Sequence, residues 1–261
     1  MGYFRFDQKT EQFIKIRSAM NNEITNFQNE KIEYAFHEGS TKNRHLLIIG
    51  HGVTGNMDRP LILKLAEAVA DQGLPVLRFS FSGNGNSGGR FEESTVSKEI
   101  QDLQSVLSTV VEQGWRPIYA GHSMGGAVGA LTAAVDSRIQ LLISLAGMVE
   151  TEQFCNTEFG MLTPGKGNMW DDENCPLSPG FVKDMKQIKS VLPRASGIQI
   201  PWLLVHGTND DVVPVADSRS LIANHEETRE YKEIEGADHL FSGEALSELI
   251  EIVIDWLGRK L

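Results

Sequence analysis

The sequence predicts an α/β fold: a mainly parallel sheet covered on both faces by helices. Short apolar runs that end in glycine or polar turn residues alternate with segments of helical spacing. The runs are too short for buried helices. A length of 261 residues is enough to bury one large core, so a single domain is expected.

Four runs are expected as central strands: residues 46–49, 75–81, 141–145 and 202–205. Residues 117–120 and 229–234 are less apolar fifth and sixth candidates. Asp58 is placed to cap a helix with Pro60 in its first turn, Leu61, Leu65 and Val69 on its apolar face and Gly73 beyond its end. Val96, Ile100, Leu103, Leu107, Val110 and Val111 repeat at helical spacing after a cap at Ser94 or Thr95. Leu246, Leu249, Ile250, Val253 and Leu257 mark a last helix. Residues 148–198 break the alternation with glycine, proline and turn signals, and are expected to form a cap or lid inserted into the domain.

Composition excludes several classes of function. A formal charge of −11 disfavours nucleic acid, whose binding needs clustered Lys and Arg. The amino terminus lacks a signal peptide's apolar stretch, Phe6 stands where myristoylation wants Ser or Thr, and no run is long enough to span a membrane. Cys155 and Cys175 form neither a CxxC pair nor a disulfide framework, which fits a reducing compartment. A cytoplasmic location is therefore expected.

Chemistry enters at Gly121-His122-Ser123-Met124-Gly125, a G-x-S-x-G pattern that exposes a serine on a sharp strand-to-helix turn. The pattern alone is cheap, because Gly85-Asn86-Ser87-Gly88-Gly89 matches it again. Context separates the two. Ile118-Tyr119-Ala120 runs directly into Ser123 and a small-residue helix runs directly out, whereas Ser87 lies beyond its strand and well before the next helix.

A serine hydroxyl needs a histidine to take its proton and a carboxylate to orient that histidine. Of the histidines after Ser123, only His239 sits in a turn just past a strand candidate, in Gly236-Ala237-Asp238-His239. His206 ends an apolar strand and reads as packed there, His225 as surface, and His122 as packing beside the nucleophile. The acid is expected on the loop after residues 202–205, which offers Asp210 and Asp211; Asp210, three residues past the turn glycine, is preferred. Oxyanion donors are expected from Met124 N–H and from Val53 N–H in the glycine-rich loop after the first strong strand.

These residues resemble the α/β-hydrolase superfamily through His51-Gly52 after a strand, the elbow, Gly207-Thr208-Asn209-Asp210 before Val212-Val213-Pro214, and Gly236-Ala237-Asp238-His239. The segment from Phe79 to Gly88 resembles, more narrowly, small bacterial carboxylesterases related to cinnamoyl and feruloyl esterases. The resemblance implies a mostly parallel eight-stranded sheet with a short cap after the sixth strand, where residues 148–198 fall. It matches the first forty residues less clearly.

Two decoys fall away. Gly83-Asn84-Gly85-Asn86-Ser87-Gly88 satisfies a dinucleotide fingerprint, but no helix opens on it; the near-P-loop ending Gly165-Lys166-Gly167 lacks its Ser or Thr and a preceding strand. No His or Cys set has zinc spacing, so neither cofactor nor metal is expected. The expected activity is hydrolysis of a small carboxylic ester. Phe154, Phe159, Met161, Met169, Trp170 and Phe181 suggest an apolar or aromatic group on it, with Trp170 as the substrate contact. Monoacylglycerol lipases, serine peptidases and carbon–carbon bond hydrolases share the triad, and a non-catalytic ligand-binding hydrolase fold is the alternative of another class.

Overall fold

The computed structural model describes residues 23–40, 43–222 and 227–261. The amino-terminal residues on which targeting was judged, and His225, lie outside them. The described residues open with β1 (Ile24–Thr25) and β2 (Lys31–Ile32), a small antiparallel hairpin, followed by β3 (Tyr34–His37). Then come β4 (His45–Gly50), α1 (Pro60–Asp71), β5 (Val76–Phe79), α2 (Val96–Glu112), β6 (Arg116–His122) and α3 (Met124–Ala133). β7 (Leu141–Leu145) leads into α4 (Thr151–Phe159), α5 (Pro179–Ile188) and α6 (Leu192–Ala195). The chain closes with β8 (Trp202–Gly207), α7 (Val215–Ile222), β9 (Arg229–Ile234) and α8 (Glu244–Lys260).

The main sheet runs β3-β5-β4-β6-β7-β8-β9, parallel except for edge strand β3 against β5. It has seven strands among the described residues rather than the eight expected. The hairpin of β1 and β2 forms its own sheet instead of extending the main one.

Strand β4 shows why the apolar runs are continuous. Leu46 and Ile48 face one core with α2 and α3, while Leu47 and Ile49 face the other with α1 and α8, so both faces are dry. On α2, Thr95 Oγ1 accepts the Lys98 N–H at 3.1 Å and satisfies a first-turn donor. The expected cap on α1 is different: the capping position is Arg59, without a side-chain bond, and the Asp58 carboxylate pairs with Arg78 across the sheet end. Pro60 starts that helix, where its missing N–H costs nothing.

The segment between β7 and β8 holds α4, α5, α6 and a 3₁₀ turn at Met169–Asp171. Phe154, Phe159 and Phe181 bury together at its centre, and Asp184 on α5 takes two hydrogen bonds from Ser97 of α2 at 2.6 and 2.9 Å. Its two ends meet, since Val191 N–H donates to Val149 O at 2.9 Å. Among the described residues no helix is long and apolar enough to cross a membrane.

Candidate active site

Ser123 is the single residue between β6 and α3, and it stands at φ 54°, ψ −120°. A left-handed conformation in a non-glycine residue costs about 1–3 kcal/mol and persists only where neighbours enforce it. Here they do: Ser123 N–H donates to Leu145 O at 3.0 Å, and Ser123 O accepts from Gly126 N and Met148 N at 2.9 and 3.0 Å. The flanking glycines permit the turn, because a Cβ on Gly121 would lie 2.1 Å from Gly125 O and one on Gly125 would lie 2.5 Å from His51 O.

Asp210 follows the end of β8, and its side chain is wholly buried. Its Oδ1 accepts the N–H groups of Val212 and Val213 at 2.9 and 2.8 Å. Its Oδ2 lies 2.8 Å from His239 Nδ1 and 3.1 Å from His206 Nε2. Burial opposes ionisation, yet the hydrogen bonds from His206, His239 and Val213 hold the carboxyl well below the usual carboxylate range. Asp211 is exposed.

His239 therefore carries its proton on Nδ1, since a carboxylate only accepts. Its own carbonyl takes a hydrogen bond from His122 Nε2 at 2.9 Å, and the two rings lie 4.8 Å apart. Burial, then the neighbouring His239, pushes His122 down to about 3, so His122 stays a neutral donor. The Asp210–His239 couple is thus formed, while among the described residues no hydrogen bond joins the Ser123 hydroxyl to the His239 ring. That contact is often long in hydrolases until a substrate closes it.

The loop after β4 presses on the serine. A Cβ on Gly52 would come within 2.7 Å of Ser123 Cβ. His51 fixes this loop: Nδ1–H donates to Gly52 O at 2.9 Å, and Nε2 accepts the Phe81 N–H at 3.0 Å. Burial lowers His51 to about 4, which keeps that acceptor unprotonated. Val53 comes next in the chain, and its N–H meets no acceptor among the described residues. Met124 N–H is one of the donors that a helix leaves unpaired in its first turn.

The other serine of the pattern is spent on structure: Ser87 Oγ donates to Ser80 O at 2.7 Å and accepts Glu33 N–H at 2.8 Å. Trp170 is 45% exposed at φ 49°, its indole N–H on Glu158 at 2.9 Å and its ring 4.9 Å from Phe159. It packs within the segment between β7 and β8, against Phe154 and Phe159. A cavity of about 60 Å³ does reach the acid loop, between Phe154 and Gln153 of α4 and Val212, Val213 and Pro214. Sequence reasoning missed the bond of His206 to Asp210; the signal was a histidine four residues before the acid, across a turn.

A family described as serine aminopeptidase, S33, matches residues 41–166. The mitochondrial palmitoyl-protein thioesterase ABHD10 of Bos taurus is 26% identical over 228 residues, 80% of this chain and 72% of that protein. Among solved structures, Est1E from Butyrivibrio proteoclasticus with ferulic acid bound superposes with a TM-score of 0.79 at 23% identity, covering 91% of this chain and 98% of that one. ABHD10 from mouse gives 0.76 at 21% identity, covering 92% and 99%. Sheet order, elbow and these likenesses agree: the chain has the α/β-hydrolase fold.

Proposed function

We propose that the protein is a serine hydrolase that cleaves small carboxylic esters carrying an apolar or aromatic group. Ser123 attacks the carbonyl carbon, and His239 takes the hydroxyl proton on Nε2 while Asp210 holds its Nδ1–H. The N–H groups of Val53 and Met124 receive the oxyanion, each such donor being worth about 3 kcal/mol of barrier. His239 returns the proton to the departing alcohol, then activates water to release the acid from the acyl-enzyme. The mechanism needs no cofactor. The observation that carries the reading is the buried Asp210 bonded to His239 at 2.8 Å, next to a serine held left-handed between strand and helix.

Residues 148–198 are read as a cap over this site, with Trp170 as its substrate contact. Est1E, the structural neighbour with bound ferulic acid, supports the aromatic ester class. A thioester is the second reading, favoured by the 26% identity to bovine ABHD10, a palmitoyl-protein thioesterase. A cytoplasmic location is part of the proposal, supported by two free, buried cysteines.

The test is labelling with a fluorophosphonate, then assay of p-nitrophenyl and hydroxycinnamate esters, a palmitoyl thioester and aminoacyl arylamides. The wild type is expected to label and to turn over esters, and Ser123→Ala to do neither. An unlabelled wild type, or a fully active Ser123→Ala, overturns the proposal; turnover of arylamides alone replaces it with a peptidase. Trp170→Ala is expected to raise KM for the hydroxycinnamates with kcat unchanged, and an unchanged KM removes Trp170 from the site.

A further inference from the structure

His206 lies at the end of β8 with no exposed surface, and each of its ring nitrogens is engaged. Nε2 is 2.9 Å from Val213 O and 3.1 Å from Asp210 Oδ2; Nδ1 is 2.7 Å from Ser218 Oγ on α7. A carbonyl and a carboxylate both only accept, so the proton sits on Nε2 and is shared between them. The Ser218 hydroxyl then donates to Nδ1. Asp210 Oδ2 thereby has two imidazole nitrogens within reach, His239 Nδ1 at 2.8 Å and His206 Nε2 at 3.1 Å, while Oδ1 is filled by Val212 and Val213.

We propose that His206 is a positioning residue of the hydrolytic site: its Nε2–H fixes the Asp210 carboxylate against His239 and drains charge from the oxygen that His239 uses. An oxygen with a second donor is a weaker acceptor, so it stabilises the imidazolium form of His239 less. A general base must carry no proton on the accepting nitrogen before attack. The proposal deepens the ester-hydrolysis reading and rests on it for its kinetic arm only.

Other charges face the same cluster. Glu233 on β9 is opposite His206 in register, and its bond from Arg219 holds it down at about 2. Asp217 on α7 accepts the N–H groups of Val149 and Glu150. Asp238 precedes His239 and accepts the Ser242 N–H, and His122 donates to the His239 carbonyl. None of these donates to Asp210 Oδ2, which distinguishes His206 from all of them.

The experiment compares His206→Asn, whose amide reaches only toward Ser218, with His206→Gln, whose amide reaches where Nε2 stands. In His206→Asn, kcat is expected to fall about tenfold at unchanged KM, with the acid limb of the kcat/KM profile moved up by about half a pH unit. In His206→Gln, both effects are expected to be largely restored. Superimposable profiles for wild type and Asn, or Gln as impaired as Asn, overturn the proposal. NMR titration of the His239 ring reads the same shift without substrate. A wild type that hydrolyses no ester, with the His239 shift still present, ends the esterase reading and leaves this one standing. If neither variant folds, ring-nitrogen spectra of the wild type decide: His206 as the Nε2–H tautomer supports the proposal, and the Nδ1–H tautomer overturns it.

Discussion

Asp217 of α7 accepts the Val149 N–H at 2.7 Å, tying the helix behind the acid loop to the chain that leaves β7. The same Oδ2 accepts Glu150 N–H at 3.1 Å, so one carboxylate satisfies two backbone donors that have no other partner there. Asp217→Ala is expected to lower stability by about 1–3 kcal/mol, read as a drop in Tm, because both donors are stranded. Asp217→Asn keeps an acceptor oxygen and is expected to lose less. Equal Tm values for wild type and Asp217→Ala would contradict this.

The two adjacent carboxylates of the acid loop should behave differently. Asp210→Asn removes the acceptor of His239 Nδ1–H and is expected to cost about 10³–10⁴ in kcat. Asp211 is exposed, and Asp211→Asn is expected to stay within about twofold of wild type. A large loss in Asp211→Asn would reassign the acid.

Strain at the elbow predicts a trade of stability against activity. Ser123→Gly can adopt φ 54° without the Cβ clash and is expected to be inactive yet stabler by about 1 kcal/mol in denaturant unfolding. Ser123→Ala keeps the Cβ and should show the loss of activity without that gain. A destabilised glycine variant would contradict the strain.

Glu99 on α2 is buried, takes one bond from Ser94 Oγ at 3.1 Å, and leaves Oε2 without a partner. Burial, then the nearby Asp102, raises its carboxyl well above the ordinary range, so the folded state holds the proton longer than the unfolded chain. The sign follows: the contribution of Glu99 to stability is fully present below the unfolded value near 4.5 and is lost as pH rises toward the folded value. Glu99→Gln does not titrate, so its Tm advantage over wild type should widen from pH 5 to pH 8. A constant gap would refute it.

Gly52 tests the approach of the β4 loop to Ser123. Gly52→Ala places a methyl 2.7 Å from Ser123 Cβ and must displace the loop that carries Val53. An expected loss of about 10²-fold in kcat would follow from such a shift. Unchanged kcat would show that the loop gives way without consequence.

How much of this was legible depends on how strongly each residue's neighbours dictate it. Residues 141–145 form a central strand with the expected bounds, because a strand covered on both faces has no choice but continuous apolarity. The edge strand β3, with Tyr34, Ala35, Phe36 and His37 all half-buried, lacks that signature and went unread, as did the two-residue strands before it. Asp58 looked like a helix cap, but Arg78 lies too far along the chain for local pattern to reveal the pairing. At the candidate site, Ser123, Asp210 and His239 each sit at turns or strand ends that sequence can mark. The links between them do not: the bonds of His122 to the His239 carbonyl and of His206 to Asp210 join elements that only the folded sheet brings side by side.

The meeting of Val149 and Val191 at the base of the segment between β7 and β8 makes that segment a cassette. A loop whose ends are already pinned adds little closure entropy when it grows or shrinks. The stretch between those two valines can therefore be exchanged or resized while Met148, Val149 and Glu150 keep their bonds to Ser123 and Asp217 and the main sheet goes untouched.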